Sequence, residues 1–410
     1  MAQHQIIVDD KDLQGLFSQD NALARLVEKV VNAILKSQFE EQLGAKRYER
    51  TVKRKAYRNG MRLRQMTTRV GSLTLQVAQM RNGRFSTELF SRYQRSEQAF
   101  VLALMEMVIN GVSTRKVATV TRELCGVDFS KSTVSRLCAQ LDPIVTAWNE
   151  RPLGQETYPF LIVDALIIRC RENGHIRPIS VLIATGIRAS GEREVLGLQL
   201  GDSESERTWT ELFRWLKGRG LRGVDLIVSD DHGGLVRAVR TQFQGIPWQR
   251  CQTHFMRNLL DATPKAIRAE LKTRLRAILE APDLTMARAL RDQVVAEFAD
   301  RAPKAMKILE DGFDDATTVM ALPESVRRRT RTTNMVERLN GEIRRRERVI
   351  RIFPNRESAI RLLGALLIEL DEKWRTERRL YLNMEEYWAW RKTVRPKTSA
   401  GRSGTVTRIF

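Results

Sequence analysis

Residues 160–168 read Phe-Leu-Ile-Val-Asp-Ala-Leu-Ile-Ile, a nearly continuous apolar run that one acid, Asp164, interrupts. A short apolar run of this kind predicts a buried β-strand. A carboxylate buried in such a strand is costly unless a cation compensates its charge, and a metal ion is the natural compensator. The alternative is an acid on an exposed face of the sheet. Asp164 is therefore the first candidate metal ligand, with both interpretations open.

The sequence on both sides of this strand predicts the rest of an α/β domain. Two more apolar runs, 179–187 and 195–200, follow Asn173-Gly174 and Ser190-Gly191, which are typical of turns, so an antiparallel three-strand meander is expected. Residues 208–216 predict a helix, 225–229 a buried strand, and 246–250 a fifth strand after another helix. The element order is therefore β-β-β-α-β-α-β.

Two further acids are placed to join Asp164. Asp230 follows the predicted strand 225–229, at the strand end where α/β folds place ligand-binding groups. Glu337 lies on an amphipathic helix predicted for 334–348, after a largely helical stretch, 254–323, that reads as an insertion. If the strands are neighbours, the three carboxylates could hold two divalent ions about 3.5–4 Å apart, the arrangement used for phosphoryl displacement.

The net charge indicates a polyanionic partner. The 410 residues include 70 Lys and Arg against 49 Asp and Glu, a formal charge of +21, and 42% hydrophobic residues exclude a wholly disordered basic chain. The charge is clustered in 46–69 and 327–351, each with ten basic residues, and in 391–410, with six and no acid. The alternative for any one block is a solvated face. No apolar run approaches the roughly 18 residues of a membrane span, and no export signal or Cys-x-x-Cys pair is visible, so a reducing cytoplasm is expected.

Three N-terminal segments are candidates for DNA binding and dimerisation. An apolar stripe, Leu23, Val27, Val30 and Ile34, predicts a dimerisation or packing helix. Alternating residues in 66–80 predict a small β element interrupted at Gly71. Residues 113–137 have the spacing of a helix-turn-helix in which Ser113 and Ser130 cap the two helices and 126–129 form the turn, although an ordinary helical pair is an equal alternative.

Several ordered motifs resemble bacterial transposases of the Mutator superfamily, and the strand order resembles the RNase H-like fold of DDE transposases and integrases. The matching residues are Asp164-Ala-Leu with Arg169, Ser229-Asp230-Asp231-His232-Gly233-Gly234-Leu235, Cys251-Gln-Thr-His254, Arg331-Thr-Thr-Asn334-Met-Val-Glu337-Arg-Leu-Asn340, Arg344-Arg345-Arg346 and Phe353-Pro354. Upstream, Tyr57-Arg-Asn-Gly60, Thr68 to Leu75 and Arg81 to Phe85 also match. The resemblance covers about 46–373.

The resemblance implies a catalytic triad of Asp164, Asp230 and Glu337 that holds two Mg²⁺ ions, with Mn²⁺ as a substitute. It places the family's Cys-x-x-His element on Cys251 and His254, for which we favour a supporting role over zinc binding because no second Cys and His pair is visible. Asp231 stands where the family often has a small residue, so the second acid is Asp230 or Asp231. Residues 77–79 read Val-Ala-Gln where the family usually has Val-Pro-Arg.

Other residues have less certain assignments. Arg169 either neutralises a phosphate near Asp164 or simply flanks the strand, and His232 either approaches the scissile phosphate or caps a turn. Glu342 lies five residues beyond Glu337, projects elsewhere and is expected to pair with a neighbouring Arg. The candidate DNA-binding residues are Lys53, Arg54, Lys55, Arg58, Arg62, Arg64, Lys131, Ser132, Thr133, Arg136, Arg344, Arg345 and Arg346.

The predicted protein is an α/β DNA transposase that binds terminal inverted repeats and target DNA, cleaves and transfers strands, and acts as at least a homodimer in the cytoplasm, with the nucleoid. The alternatives are a catalytically silent DNA-binding regulator and an RNase H-like structure-specific nuclease. The expected domains are a helical dimerisation segment (1–45), a basic β module (46–98), a helix-turn-helix-like domain (99–150), the first catalytic part (151–255), an all-α insertion (256–325), the second catalytic part with C-terminal helices (326–390) and a flexible basic tail (391–410).

Overall fold

The computed structural model describes residues 22–81, 85–87, 89–90, 98–125, 130–377 and 380–394. The predicted α/β fold class is confirmed, because helices are combined with two β-sheets. The chain divides into two compact units, Met1–Ala139 and Gln140–Phe410. Each unit is described by itself.

In the first unit, helix α1 (Ala22–Leu43) packs on a hairpin of β1 (Arg58–Thr68) and β2 (Gly71–Met80). The core between them contains Leu35 and Leu75, which are both almost fully buried. Part of the predicted apolar stripe is used here: Val27 packs against this core, whereas Leu23 is half exposed. The hairpin begins at Arg58, eight residues before the predicted β element. Strand β1 therefore lies within the basic block 46–69.

The described part of the first unit also contains the helices α2 (Gln98–Ile109), α3 (Thr114–Cys125) and α4 (Lys131–Cys138). The Ser113 hydroxyl accepts a hydrogen bond from the Lys116 N–H at 3.3 Å, and Ser130 accepts one from the Thr133 N–H at 3.1 Å. The two serines therefore cap the helices as predicted. The predicted turn, 126–129, lies outside the described residues.

The second unit contains the larger sheet, in the order β5-β4-β3-β6-β7. Its strands are β3 (Phe160–Glu172), β4 (His175–Ile187), β5 (Arg193–Gly201), β6 (Leu226–Ser229) and β7 (Trp248–Arg250). The first three form the predicted antiparallel meander, and β6 pairs in parallel with β3 and β7. Helix α5 (Asp142–Asn149) precedes the sheet, and α6 (Glu206–Gly218) and α7 (Gly233–Gln242) connect its later strands. This is the predicted element order.

Helix α5 makes contacts with later elements of the second unit. Its residue Asp142 forms an ion pair with Arg361, and the Asn149 side chain donates to the Leu198 carbonyl of β5. The helix is therefore packed into the second unit.

The remaining helices form two groups. The first consists of α8 (Gln252–Asp261), α9 (Arg268–Leu279), α10 (Leu284–Phe298) and α11 (Pro303–Thr317), which share a core that includes Phe255, Phe298 and Phe313, and of α12 (Glu324–Thr330), which follows them along the chain. The second consists of α13 (Asn334–Ile350), α14 (Arg356–Thr376) and α15 (Glu385–Val394). Among the described residues, no helix combines the length and the apolar character that a membrane crossing needs.

Candidate active site

Two parallel neighbouring strands bring the first two acids to one point. The last paired residues of β3 and β6 are Ile162 and Val228, and Asp164 and Asp230 each come two residues later. Neighbouring strands lie about 5 Å apart, so side chains at equivalent positions are close. Asp164 is only 7% exposed, so it does not lie on an exposed face of the sheet.

Helix α13 supplies the third acid. Glu337 lies in its first turn, and Asn340, three residues later on the same face, donates from Nδ2 to Asp164 Oδ2 at 2.7 Å. The helix therefore lies over Asp164 in β3, and the charge of Glu337 acts on that carboxylate. The sequence pattern assigned no role to Asn340, although its spacing from Glu337 is a signal that could have found it.

Burial raises the proton affinity of both aspartates, and neighbouring carboxylates add to the effect at Asp164. Burial, with the charges of Asp230 and Glu337, raises the pKa of Asp164 to about 7, against the opposing effects of the Ala165 N–H and His254. Burial also raises the pKa of Asp230, although His254 and His232 oppose it. Asp230 Oδ1 is buried and has no hydrogen-bond partner among the described residues. An orphaned carboxylate oxygen beside a second buried acid is what a hard cation would satisfy.

The neighbouring Asp231 has a different environment. Its Oδ2 atom lies 2.9 Å from Arg250 Nη1, in an ion pair, and its side chain is 40% exposed. This contact leaves Asp230 as the carboxylate that faces Asp164.

Cys251 and His254, at the start of α8, lie beside Glu337. His254 Nε2 is 3.8 Å from Glu337 Oε1. The buried Cys251 sulfur accepts hydrogen bonds from the Thr333 N–H at 3.4 Å and hydroxyl at 3.3 Å. Interaction with Cys251 raises the pKa of His254 to about 9, against the effect of burial. For Cys251 burial raises the pKa, but His254 and Thr333 outweigh it and the net pKa is lowered. The pair therefore favours a thiolate and an imidazolium.

The same three side chains could in principle hold a metal ion. One ligand atom each from Cys251, His254 and Glu337 lies within 4.8 Å of the others. Because the sulfur already accepts two hydrogen bonds from Thr333, we favour a supporting charged pair, and this assignment stays a prediction.

A fourth carboxylate, Glu204, lies between β5 and α6 and was not selected from the sequence. Burial and then the charge of Asp230 raise its pKa, so the two acids are electrostatically coupled. Glu204 Oε1 accepts a hydrogen bond from Trp209 Nε1 at 3.3 Å and lies 3.5 Å from His232 Nδ1. The strand-end argument that identified Asp230 could also have found it, because Glu204 comes three residues after β5.

The two predicted supporting residues at the strands have different positions. His232 is the N-cap residue of α7, two residues after Asp230, and its side chain is 39% exposed beside Glu204. Arg169 is exposed and lies five residues beyond Asp164 on β3. Because side chains alternate along a strand, Arg169 projects from the opposite face, away from the acids.

The predicted DNA-binding residues of the hairpin region divide into two groups. Exposed side chains are those of Lys53, Lys55 and Arg62. The others have local contacts: Arg58 pairs with Glu40 at 3.2 Å, Arg64 lies over the Phe90 ring at 4.4 Å, and Arg54 donates to the Glu49 carbonyl.

Helix α4 presents Ser132 and Arg136 as exposed residues, with Thr133 half-buried. The hydroxyls of Ser132 and Thr133 lie 2.7 and 2.9 Å, respectively, from the Ser130 hydroxyl, so they take part in the helix cap. The side chain of Lys131 lies outside the described part of the chain.

The three arginines of α13 that were predicted to bind DNA all have acidic partners. Arg344 pairs with Glu347 at 2.9 Å, Arg345 pairs with Glu342 at 3.0 Å, and Arg346 also pairs with Glu342. Arg346 is 3% exposed, so it has little surface to offer a phosphate. The expected pairing of Glu342 with a neighbouring Arg is confirmed.

Comparison with known proteins gives one consistent family. The family model "Transposase, Mutator family" matches residues 1–377. The chain is 41% identical to the transposase for insertion sequence element IS256 in transposon Tn4001 of Staphylococcus aureus, over 94% of this chain and 100% of the relative. It is 43% identical to the transposase for ISRM5 of Rhizobium meliloti, over 90% and 93% of the two chains. For the IS1081 transposase of Mycobacterium tuberculosis the identity is 37%, over 88% of each.

Proposed function

The chain belongs to the Mutator family of transposases, and from this premise we propose that it binds the terminal inverted repeats of an insertion sequence and catalyses Mg²⁺-dependent DNA cleavage and strand transfer. The observation that carries the proposal is the convergence of Asp164, Asp230 and Glu337 at one edge of the sheet, with raised pKa values for both aspartates. An antiparallel meander followed by two parallel strands supports an RNase H-like catalytic domain of the DDE type.

The residues fit the metal that this chemistry requires. Asp164, Asp230 and Glu337 offer only oxygen ligands, which Mg²⁺ prefers, and Mn²⁺ is the expected substitute. When bound, two such ions activate the attacking oxygen and stabilise the leaving oxygen of an in-line displacement.

Neighbouring side chains prepare these ligands. Asn340 donates to one oxygen of Asp164 and so fixes the orientation of that carboxylate. His254, held as a cation by Cys251, offsets negative charge beside Glu337 and Asp164. In the proposed reaction water attacks a phosphodiester and releases a 3′-hydroxyl, which then attacks a second DNA strand.

The other parts of the proposal concern assembly and location. The expected domains from 1–45 to 391–410 stay predictions, as does a homodimer that joins two transposon ends. Because the substrate would be chromosomal DNA, we propose that the protein associates with the nucleoid. Exposed Lys53, Lys55 and Arg62 of the first unit would contact phosphates, and α4 would contact bases.

The test compares wild type with Asp164→Asn on labelled DNA that carries the element's own terminal repeat, with Mg²⁺ or with EDTA. We expect equal binding, and cleavage at the repeat boundary by wild type with Mg²⁺ alone. Glu211→Gln, which changes an exposed acid on α6, is the matched control and should cleave like wild type. Tight binding without cleavage under any metal would favour the regulator, and cleavage independent of the repeat sequence would favour the structure-specific nuclease.

A further inference from the structure

A large groove in the second unit lies outside the carboxylate cluster. It has a volume of about 840 Å³ and is bounded by α8, α9 and the segment that precedes α13; we call it the α8–α9 groove. Its cationic lining residues are Arg257, Arg268, Lys272, Arg276 and Arg331. Its acids are Asp261 and Glu280, and Met256, Leu260 and Leu279 contribute apolar surface. Five cations against two acids leave an excess of three positive charges.

The cations of the groove lack acidic partners. Within the part of the chain that the structure describes, none of the five forms an ion pair with a carboxylate. Other arginines of the same helical group are paired: Arg274 lies 3.4 Å from Glu297, and Arg301 lies 2.8 Å from Glu270. A concave surface lined by uncompensated charge of one sign concentrates ligands of the opposite sign.

The arrangement of the charges fits a chain of phosphates. Arg268, Lys272 and Arg276 recur every four residues along one face of α9, at intervals of about 6 Å. Arg257 and Arg331 add charge on the other boundaries of the groove. Charges spread along a wall in this way can neutralise successive phosphates, whereas a site for one phosphate gathers its cations around a single point.

The groove and the carboxylate cluster share helix α8. His254 faces Glu337, whereas Thr253, Met256 and Arg257 line the groove. The Gln252 N–H donates to the Arg331 carbonyl at 3.0 Å, so the boundary of the groove is attached to the chain just before α13. A strand that reaches the acids can therefore continue past α8 into the groove.

We propose that the α8–α9 groove binds the sugar-phosphate backbone of a DNA segment next to the strand that reacts at Asp164, Asp230 and Glu337. This inference rests on the proposed function, because it assigns a second contact to the same DNA substrate. The segment comes from one of two sources, the DNA that flanks the transposon end or the target DNA. The chemistry of recognition is the same for both.

The test uses the full chain with the double substitution Lys272→Ala/Arg276→Ala. The matched control is Lys304→Ala/Lys307→Ala, which removes the same charge from exposed positions of α11 that do not line the groove. Both variants alter exposed side chains, and thermal melting verifies that they fold. Binding is measured over a series of salt concentrations to three DNAs: a terminal repeat that ends at its boundary, the same repeat with flanking DNA, and a pre-cleaved end with a target duplex.

For the DNA that enters the groove, we expect the groove variant to bind roughly tenfold more weakly and its salt dependence to fall by about two ion equivalents. The control should match wild type. A loss confined to the flanked repeat assigns the groove to flanking DNA, and a loss confined to the target duplex, with at least a comparable fall in strand transfer, assigns it to target DNA. Equal losses in both variants, or no loss in any arm, overturn the proposal. The binding readout requires no cleavage, so a wild type that binds but never cleaves refutes only the proposed function.

Discussion

At the scale of single residues, the candidate site concentrates like charges that oppose folding. Asp164 and Asp230 are buried together with raised pKa values, and Asp230 has an unpartnered oxygen. A raised pKa means that the folded state binds its proton more tightly than the unfolded state does. The metal-free protein should therefore lose stability as pH rises from about 4 through about 7.

This charge effect predicts that Asp164→Asn stabilises the metal-free protein. Above pH 7 the substitution removes a buried charge and should increase the free energy of unfolding by about 2–4 kcal/mol, a difference that disappears near pH 4. Urea unfolding at pH 4.5 and pH 8 measures it, with Glu211→Gln as the control. Addition of Mg²⁺ should raise the melting temperature of wild type and of Glu211→Gln, but not that of Asp164→Asn. A variant less stable than wild type at pH 8 would contradict the prediction.

The interaction between Cys251 and His254 predicts a titration that can be measured directly. In Cys251→Ala the pKa of His254 should fall from about 9 toward 6.5, since Cys251 is its main cause. The chain has only four histidines, which makes NMR titration of the ring protons practicable. The wild-type protein, titrated in parallel, is the reference. If the pKa of His254 does not change in Cys251→Ala, a group other than Cys251 raises it.

The choice between Asp230 and Asp231 can be decided by paired substitutions. Asp230→Asn should reduce cleavage by at least a thousandfold, because it removes a proposed metal ligand. Asp231→Asn should retain most cleavage, since Asp231 pairs with Arg250. Rates are compared at saturating DNA. The reverse order of activities would move the second acid to Asp231.

Residue identities in the site were largely predictable from the sequence. Asp164 was found as an acid inside an apolar strand, Asp230 from a strand end and Glu337 on an amphipathic helix, and the family resemblance pointed to all three, without knowledge of any contact. Asn340 and Glu204 were missed because their roles depend on distances across the fold: Asn340 reaches Asp164 across 176 residues of sequence. The spacing of Asn340 from Glu337 and the position of Glu204 after β5 mark both residues as candidates, but these local signals do not give the contacts that define their roles.

At the scale of elements, close packing of α7 fixes the segment that carries Asp230. A Cβ atom on Gly234 would lie 2.6 Å from the Glu206 backbone nitrogen and 2.9 Å from the Ser205 carbonyl carbon. Backbone atoms cannot rotate away as a side chain can. Helix α7 therefore approaches the start of α6 only because residue 234 has no side chain.

This contact predicts opposite effects at two adjacent glycines. Gly234→Ala should destabilise the protein by about 1–3 kcal/mol through steric overlap and should also reduce cleavage. Gly233→Ala meets only the end of the Arg237 side chain at 3.4 Å, so it should be neutral or stabilise by up to about 1 kcal/mol. Thermal melts of the two variants test this. Equal effects at the two positions would contradict the packing argument.

Element types were predicted well, and element ends less well. The order of strands and helices from Phe160 to Arg250 follows from apolar runs and turn residues. Strands β3 and β4 extend to Glu172 and His175, farther than their apolar runs, because their polar ends continue to pair with each other. The ends of these two strands are set by the hydrogen bonds between them, and hydrophobicity alone does not predict where those bonds stop.

At the scale of the whole molecule, the basic side chains behind the net charge of +21 fall into two classes. Some are exposed to solvent, and others are buried in ion pairs. Arg62 is exposed on the hairpin, whereas Arg346 is buried with Glu342. Counting basic residues in the sequence could not separate these two classes, because the partner of each side chain is set by folding. The division after Ala139 was likewise not visible, since α5 continues the helical pattern of the residues before it.

The exposed class predicts the salt dependence of DNA binding. Arg62→Ala should weaken binding and lower the slope of log K against log salt by about one, the value for one lost phosphate contact. Arg207→Ala removes an exposed arginine of α6 that pairs with Glu211 and should leave the slope unchanged. Fluorescence anisotropy between 50 and 300 mM salt, a range suited to such slopes, is the measurement. Identical slopes for Arg62→Ala and wild type would remove Arg62 from the DNA contacts.

The contact between Cys251 and Thr333 joins two positions that are 82 residues apart in sequence. The helical group α8 to α12 therefore leaves the sheet and returns to it at almost the same place, and the Gln252–Arg331 hydrogen bond closes the loop beside it. A segment whose two ends meet can lengthen or shorten at small entropic cost, which grows only with the logarithm of its length. Insertions or deletions in the part of this segment beyond α8 should therefore leave the separation of the second and third acids unchanged.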